Sequence, residues 1–128
     1  MGENADMVRK AWEAFGRGDL DGAVATTSDS AEIVMPETLP WGGTYRGPAG
    51  FKEMIEKFLS NFENVDPTPQ QFLETDDGHV VVTVKGVGTT KSGNQLSGDS
   101  IWLYDVQGGE VTRAQFYGDT AQAVEALS

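Results

Sequence analysis

The sequence predicts an α+β domain with helices first and a curled antiparallel sheet behind them. Three observations lead there. Up to Asn61, apolar residues recur three and four apart, the spacing of helices with one buried face. Beyond Asn64, β-rich runs are separated by the turn signals Asp76-Asp77-Gly78, Lys91-Ser92-Gly93-Asn94 and Gln107-Gly108-Gly109. Those strands are apolar on both faces, and one face carries the small residues Gly86, Gly88, Gly98 and Ser100. Small residues let a sheet curl and leave space inside it. The expected result is a cone-shaped antiparallel sheet wrapped around the N-terminal helices, with residues 1–128 as one domain.

Each element has its own signal. Met7, Val8, Ala11, Trp12, Ala14 and Phe15 predict a helix over Ala5–Gly18, with Asp6 as cap and Gly16 and Gly18 as stop. Asp19 caps a short second helix reaching about Thr27. Ala31–Met35 reads as a strand halted by Pro36. Pro48–Asn61 is the clearest helix. Its stripe of Phe51, Met54, Ile55, Phe58 and Leu59 is backed by the charged pairs Lys52/Glu56 and Glu53/Lys57. Strands are expected over Pro69–Thr75, His79–Thr90, Gln95–Val106 and Val111–Tyr117, followed by a short helix capped by Asp119 or Thr120.

Composition narrows the function. Nine Lys+Arg against twenty Asp+Glu give a formal charge of −11, which repels nucleic acid and anionic membranes. The apolar runs are too short to span a bilayer, so a soluble cytoplasmic protein is expected. With no cysteine there is no disulfide framework, zinc-thiolate site or thiol nucleophile. One histidine, His79, and scattered carboxylates do not predict a metal site. No glycine run has the spacing of a phosphate loop, and no cofactor is expected.

The stretch Leu39-Pro40-Trp41-Gly42-Gly43-Thr44-Tyr45-Arg46-Gly47-Pro48 carries the most information. Two prolines stiffen it, and its aromatics suit the rim of a pocket. With Trp12–Phe15 before Gly18-Asp19, the hairpin Asp105–Val111 and Tyr117-Gly118-Asp119-Thr120, it resembles the nuclear transport factor 2-like (cystatin-like) superfamily. Within it, the Pro-Trp-Gly-Gly-Thr-Tyr-Arg-Gly run is similar to the SnoaL-like polyketide cyclase and ketosteroid isomerase-like branch. The resemblance implies a SnoaL-like domain with a cavity for a hydrophobic small molecule.

The catalytic residues that the resemblance implies do not carry over. The isomerase tyrosine falls on Ala11, its base aspartate on Met35 or Thr38, and its oxyanion carboxylic acid on Ser100 beside Asp99. The cyclase aspartate falls on Phe116. The Arg-x-Asp pattern of limonene epoxide hydrolases falls in Val80–Gly88, which holds Lys85 and no acid.

Glu37, Asp99 and Asp119 are then the candidate acid/base groups, and Tyr45 the candidate phenolic donor. Each has a structural alternative: Glu37 a solvated loop acid, Tyr45 a packed ring, Asp99 an outward strand residue, Asp119 a helix cap, and Arg46 an ion pair within the chain. Trp12, Phe15, Met35, Trp41 and Tyr45 are the expected substrate-binding residues of the first half. Met54, Phe58, Ser100, Trp102 and Phe116 complete the expected lining. Two functions fit. One is a cofactor-independent cyclase or isomerase for a polyketide-, terpenoid- or steroid-like substrate. The other is a non-catalytic ligand-binding or dimerisation module. The apolar outer sheet face predicts a homodimer.

Overall fold

Leu20–Ala23, Gly47–Leu59 and Thr120–Leu127 follow Glu3–Gly16 as the helices α1 to α4, in the order α2, α3, α4 after α1. The strands are β1 (Thr27–Met35), β2 (Gly43–Arg46), β3 (Phe62–Glu74), β4 (His79–Thr90), β5 (Gln95–Gln107) and β6 (Glu110–Gly118). This computed structural model describes residues 2–128. The strands form one six-stranded sheet in the order β2-β1-β6-β5-β4-β3. Strands β3 to β6 are an antiparallel meander, and β1 lies parallel to β6. That one parallel pairing was not expected. No hairpin ties β1 to β6, so nothing local sets their relative direction.

The predicted α+β cone is the observed fold. Helix α3 packs on β1, and α1 packs against α2, β3 and β4. Val80, Val82 and Val84 of β4 face Tyr104, Trp102 and Ser100 of β5 in register. All three valines are buried, as are Trp102 and Tyr104, so these residues form the inner face. Ile33 and Ala114, also fully buried, continue it across β1 and β6.

Several boundaries differ from expectation, each for a physical reason. Helix α1 starts at Glu3 with Gly2 as cap; Asp6 lies in its first turn and pairs with Arg9 instead. The Ala5 amide donates to Glu74 Oε1 at 3.0 Å, so a carboxylate from β3 serves the helix start. Strand β1 begins at Thr27 because Thr27 pairs with Val111 across an irregularity in register, and α2 ends earlier to allow it. Strand β3 runs through Pro67 and Pro69 from Phe62, since it is an edge strand where missing donors are tolerated. The rim stretch contains a strand, β2, paired with β1 through Ile33 and Tyr45.

Capping by Asp19 is as predicted: its Oδ1 accepts from the Gly22 amide at 2.9 Å. Of the expected α3 pairs, Lys57–Glu53 forms at 3.2 Å, whereas Lys52 reaches Asp21 at 3.0 Å rather than Glu56. Arg46 pairs within the chain with Glu32 at 2.9 Å. Gly47 starts α3 at φ +70°, where a Cβ would stand 2.9 Å from the Asp29 carbonyl oxygen.

Candidate functional site

The inner face changes character along β4 and β5. Beyond the Val84–Ser100 pair, Gly86 stands opposite Gly98, and Gly88 opposite Leu96. Two glycines facing one another put no side chain between sheet and helices, and a cavity of about 180 Å³ remains there. That exceeds the ~150 Å³ apolar cavity that admits benzene. It is below the ~300–1,000 Å³ of pockets for drug-sized ligands, so about two fused rings fit inside.

Two aromatic groups wall the cavity. In one, Trp102 stacks on Phe51 (6.2 Å) and Tyr104 (5.9 Å) and meets Phe116 edge-on at 5.6 Å. In the other, Trp41 meets Phe58 edge-on at 5.0 Å and leans on Phe62 at 6.0 Å. Trp12 and Phe15 from α1, Met35 from β1 and Met54 from α3 close the remaining sides. The α4 cap Asp119 and, from its first turn, Thr120, Gln122 and Ala123 stand at the mouth. That helix is fixed by Gln122 Nε2 donating to the Ser97 carbonyl (2.9 Å) and by the buried Thr90 hydroxyl donating to the Ala126 carbonyl (3.1 Å).

Polar groups are few. Trp12 Nε1 donates to the Tyr104 hydroxyl at 3.0 Å. Burial raises the Tyr104 phenol above its ordinary range, and the Trp12 hydrogen bond offsets this in part. The hydroxyl is therefore a neutral donor. Ser100, half-buried, adds a hydroxyl on the same face.

Nine of the ten expected lining residues border the cavity; the exception is Tyr45. Its hydroxyl donates to the Trp41 carbonyl at 2.9 Å. Glu37 is exposed and stands outside the lining. Asp99 borders the mouth, but its strand alternation matches exposed Ile101 rather than buried Trp102. Asp119 borders the mouth and caps α4, its Oδ1 accepting from the Gln122 amide at 3.0 Å. Tyr104, on the same face of β5 as Ser100 and Trp102, was not among the expected site residues. Leu39, Phe51 and Ile55 of the lining were also missed; the α3 stripe already signalled the last two.

His79 lies away from the cavity, Nδ1 at 2.8 Å from Asp77 and Nε2 at 3.0 Å from Asp105. The Asp77 hydrogen bond raises the His79 pKa, and the same bond lowers Asp77 to about 2. The imidazolium is thus favoured in an exposed ion pair. Among the described residues, no group of three or more His, Asp or Glu side chains is placed to hold a metal ion. Among the described residues, no helix is long and apolar enough to cross a membrane.

A curled sheet closed by helices around an apolar cavity defines the nuclear transport factor 2-like class. The chain belongs to the SnoaL-like domain family, whose model matches residues 8–114. A nuclear transport factor 2-like protein of unknown function from Burkholderia pseudomallei superposes with a TM-score of 0.91 at 23% identity, covering 100% of this chain and 99% of that one. The crystal structure of TerC with polyporic acid gives a TM-score of 0.87 at 25% identity over 97% of both chains. An uncharacterized protein of Mycobacterium tuberculosis is 26% identical over 118 residues, 91% of this chain and 89% of its own length.

Proposed function

We propose that this protein is a cofactor-independent enzyme that cyclises or isomerises a hydrophobic polyketide-, terpenoid- or steroid-like molecule held in the cavity. The observation that carries the reading is an aromatic-walled space whose inner polar groups include the neutral hydroxyls of Tyr104 and Ser100. Such a space folds a flexible substrate into one reactive shape, and orientation alone removes a large part of a barrier. The hydroxyls stabilise an enolate oxygen as it forms. Asp119 at the mouth is the carboxylate best placed to move the proton. Substrates larger than two rings extend past it. The crystallisation of TerC with polyporic acid supports a small-molecule ligand on this fold.

Asp119→Asn is the direct test, because Asn also caps a helix and α4 is retained. Turnover of a candidate substrate, followed by chromatography, is expected to fall about 100-fold or more with binding unchanged. Undiminished turnover rules out Asp119 and leaves geometry as the catalyst. A second reading, a non-catalytic binding module, is favoured by the carboxylates: Glu37 is exposed and Asp119 is engaged as a cap. Tight binding without turnover across a substrate panel selects it.

We also infer a homodimer through the outer sheet face. Ile101 pairs in register with Tyr117, and both are more than two-fifths exposed. Leu103 pairs with Val81, which pairs with Leu73, itself half exposed, so the apolar patch crosses four strands. Sedimentation is expected to give twice the chain mass, and Ile101→Lys to give the monomer. A monomeric wild-type protein at micromolar concentration excludes the dimer.

A further inference from the structure

Trp41 Nε1 is the one buried side-chain nitrogen or oxygen without a hydrogen-bond partner among the described residues. The residue is 4% exposed and borders the cavity. Phe58 and Phe62 pack on its ring and offer no acceptor. Its backbone is held as well, since the Trp41 carbonyl accepts from Tyr45. An indole N–H only donates. A buried donor without an acceptor is rare in native proteins because desolvation is not offset. The Trp41 ring borders the cavity, which is where a ligand would bring an acceptor beside it.

A second donor lies on the other aromatic wall. The Tyr104 hydroxyl accepts from Trp12, and its own O–H finds no acceptor among the described residues. A phenol that already accepts a hydrogen bond is polarised toward donating one. The cavity walls therefore carry two donors without acceptors in an apolar surround, with Asp99 and Asp119 also in the lining.

We infer that Trp41 is a specificity-determining residue, its indole N–H selecting ligands whose flat apolar frame carries a carbonyl-type acceptor oxygen, with Tyr104 as the second donor. Ketones, quinones and enolates meet this requirement. Hydrocarbons leave both donors unpaired, and ammonium groups add a donor where donors already stand. The inference rests on the proposed function only in requiring that the cavity hold a small hydrophobic molecule; it does not require turnover.

The test compares 1,4-naphthoquinone with naphthalene, two fused-ring probes that differ in their oxygens. The chain has no cysteine for the quinone to alkylate. Calorimetry is expected to show the quinone binding about tenfold more tightly or better, the worth of one buried donor regaining an acceptor. In a nitrogen–proton correlation spectrum, the Trp41 indole signal should move downfield with quinone and not with naphthalene. Trp41→Phe keeps an aromatic wall and removes the donor. It should bring the two probes within about twofold of each other. Tyr104→Phe should narrow the quinone-to-naphthalene ratio, and it serves the same purpose if Trp41→Phe does not fold. Equal affinity for both probes in the wild type, with the Trp41 signal unmoved, overturns the inference and leaves the cavity reading standing. Binding of neither probe overturns both.

Discussion

Replacing Gly42 by Ala is expected to lower stability by about 2–4 kcal/mol, in the range of severe core overpacking. A Cβ on Gly42 would stand 2.2 Å from the Pro36 carbonyl oxygen, 2.7 Å from Glu37 Cα and 2.9 Å from the Leu39 carbonyl oxygen. All three are backbone atoms, so no rotamer change relieves the contact. The turn is itself closed by hydrogen bonds, from the Leu39 amide to Pro36 (3.2 Å) and from the Gly42 amide to Leu39 (2.8 Å). Opening it would withdraw Leu39 and Trp41, each 4% exposed, from the cavity wall. Loss of stability and loss of ligand binding should therefore appear together. Gly16→Ala is the control: it is the last residue of α1, with nothing among the described residues within 4 Å of the new methyl, and helix propensity favours Ala. Chemical denaturation of the two variants measures the contrast. A Gly42→Ala protein within about 0.5 kcal/mol of wild type would mean that the turn shifts freely, contrary to the packing described.

This turn also marks where the sequence stopped being readable. Periodic elements were legible because a period assigns every side chain to a face. The α3 stripe, the β4 bounds and the placing of Ser100 and Trp102 in the lining all follow from spacing. A turn has no period. Leu39 and Trp41 point into the core, Glu37 is exposed, and Tyr45 is tied back to the Trp41 carbonyl. Composition gave the rim its aromatics without saying which of them face inward. Contacts distant along the chain were equally hidden. The Glu74 carboxylate at the start of α1 and the Trp12–Tyr104 hydrogen bond join residues 69 and 92 positions apart. Prolines obscured β3, because only the finished sheet shows that strand to be an edge.

The cavity itself was foreshadowed by the small residues of β4 and β5, and this yields the sharpest functional variant. Gly86→Phe should abolish ligand binding, at least about tenfold in affinity, while the protein stays folded. Gly86 follows Val82 and Val84 at strand spacing, so a side chain there points inward. Among the described residues, chain neighbours aside, a new Cβ meets just the Gly98 carbonyl oxygen within 4 Å, at 3.9 Å, ordinary van der Waals contact. Its φ lies outside the left-handed region, so a side chain adds no backbone strain, and aromatic residues are well suited to strands. A phenyl ring then occupies the space that Gly86 and Gly98 leave empty, between the two aromatic walls. Gly88 offers no such substitution: its Cβ would meet the Asn64 carbonyl oxygen at 2.8 Å. The comparison separates occupancy from damage. Gly86→Phe should retain the wild-type melting temperature within about 3 °C, roughly 1 kcal/mol for a chain of this length, and lose the ligand. Gly88→Phe should lose both. If Gly86→Phe binds as the wild type does, the ligand sits elsewhere, and the glycine pair at the centre of the sheet only permits its curl.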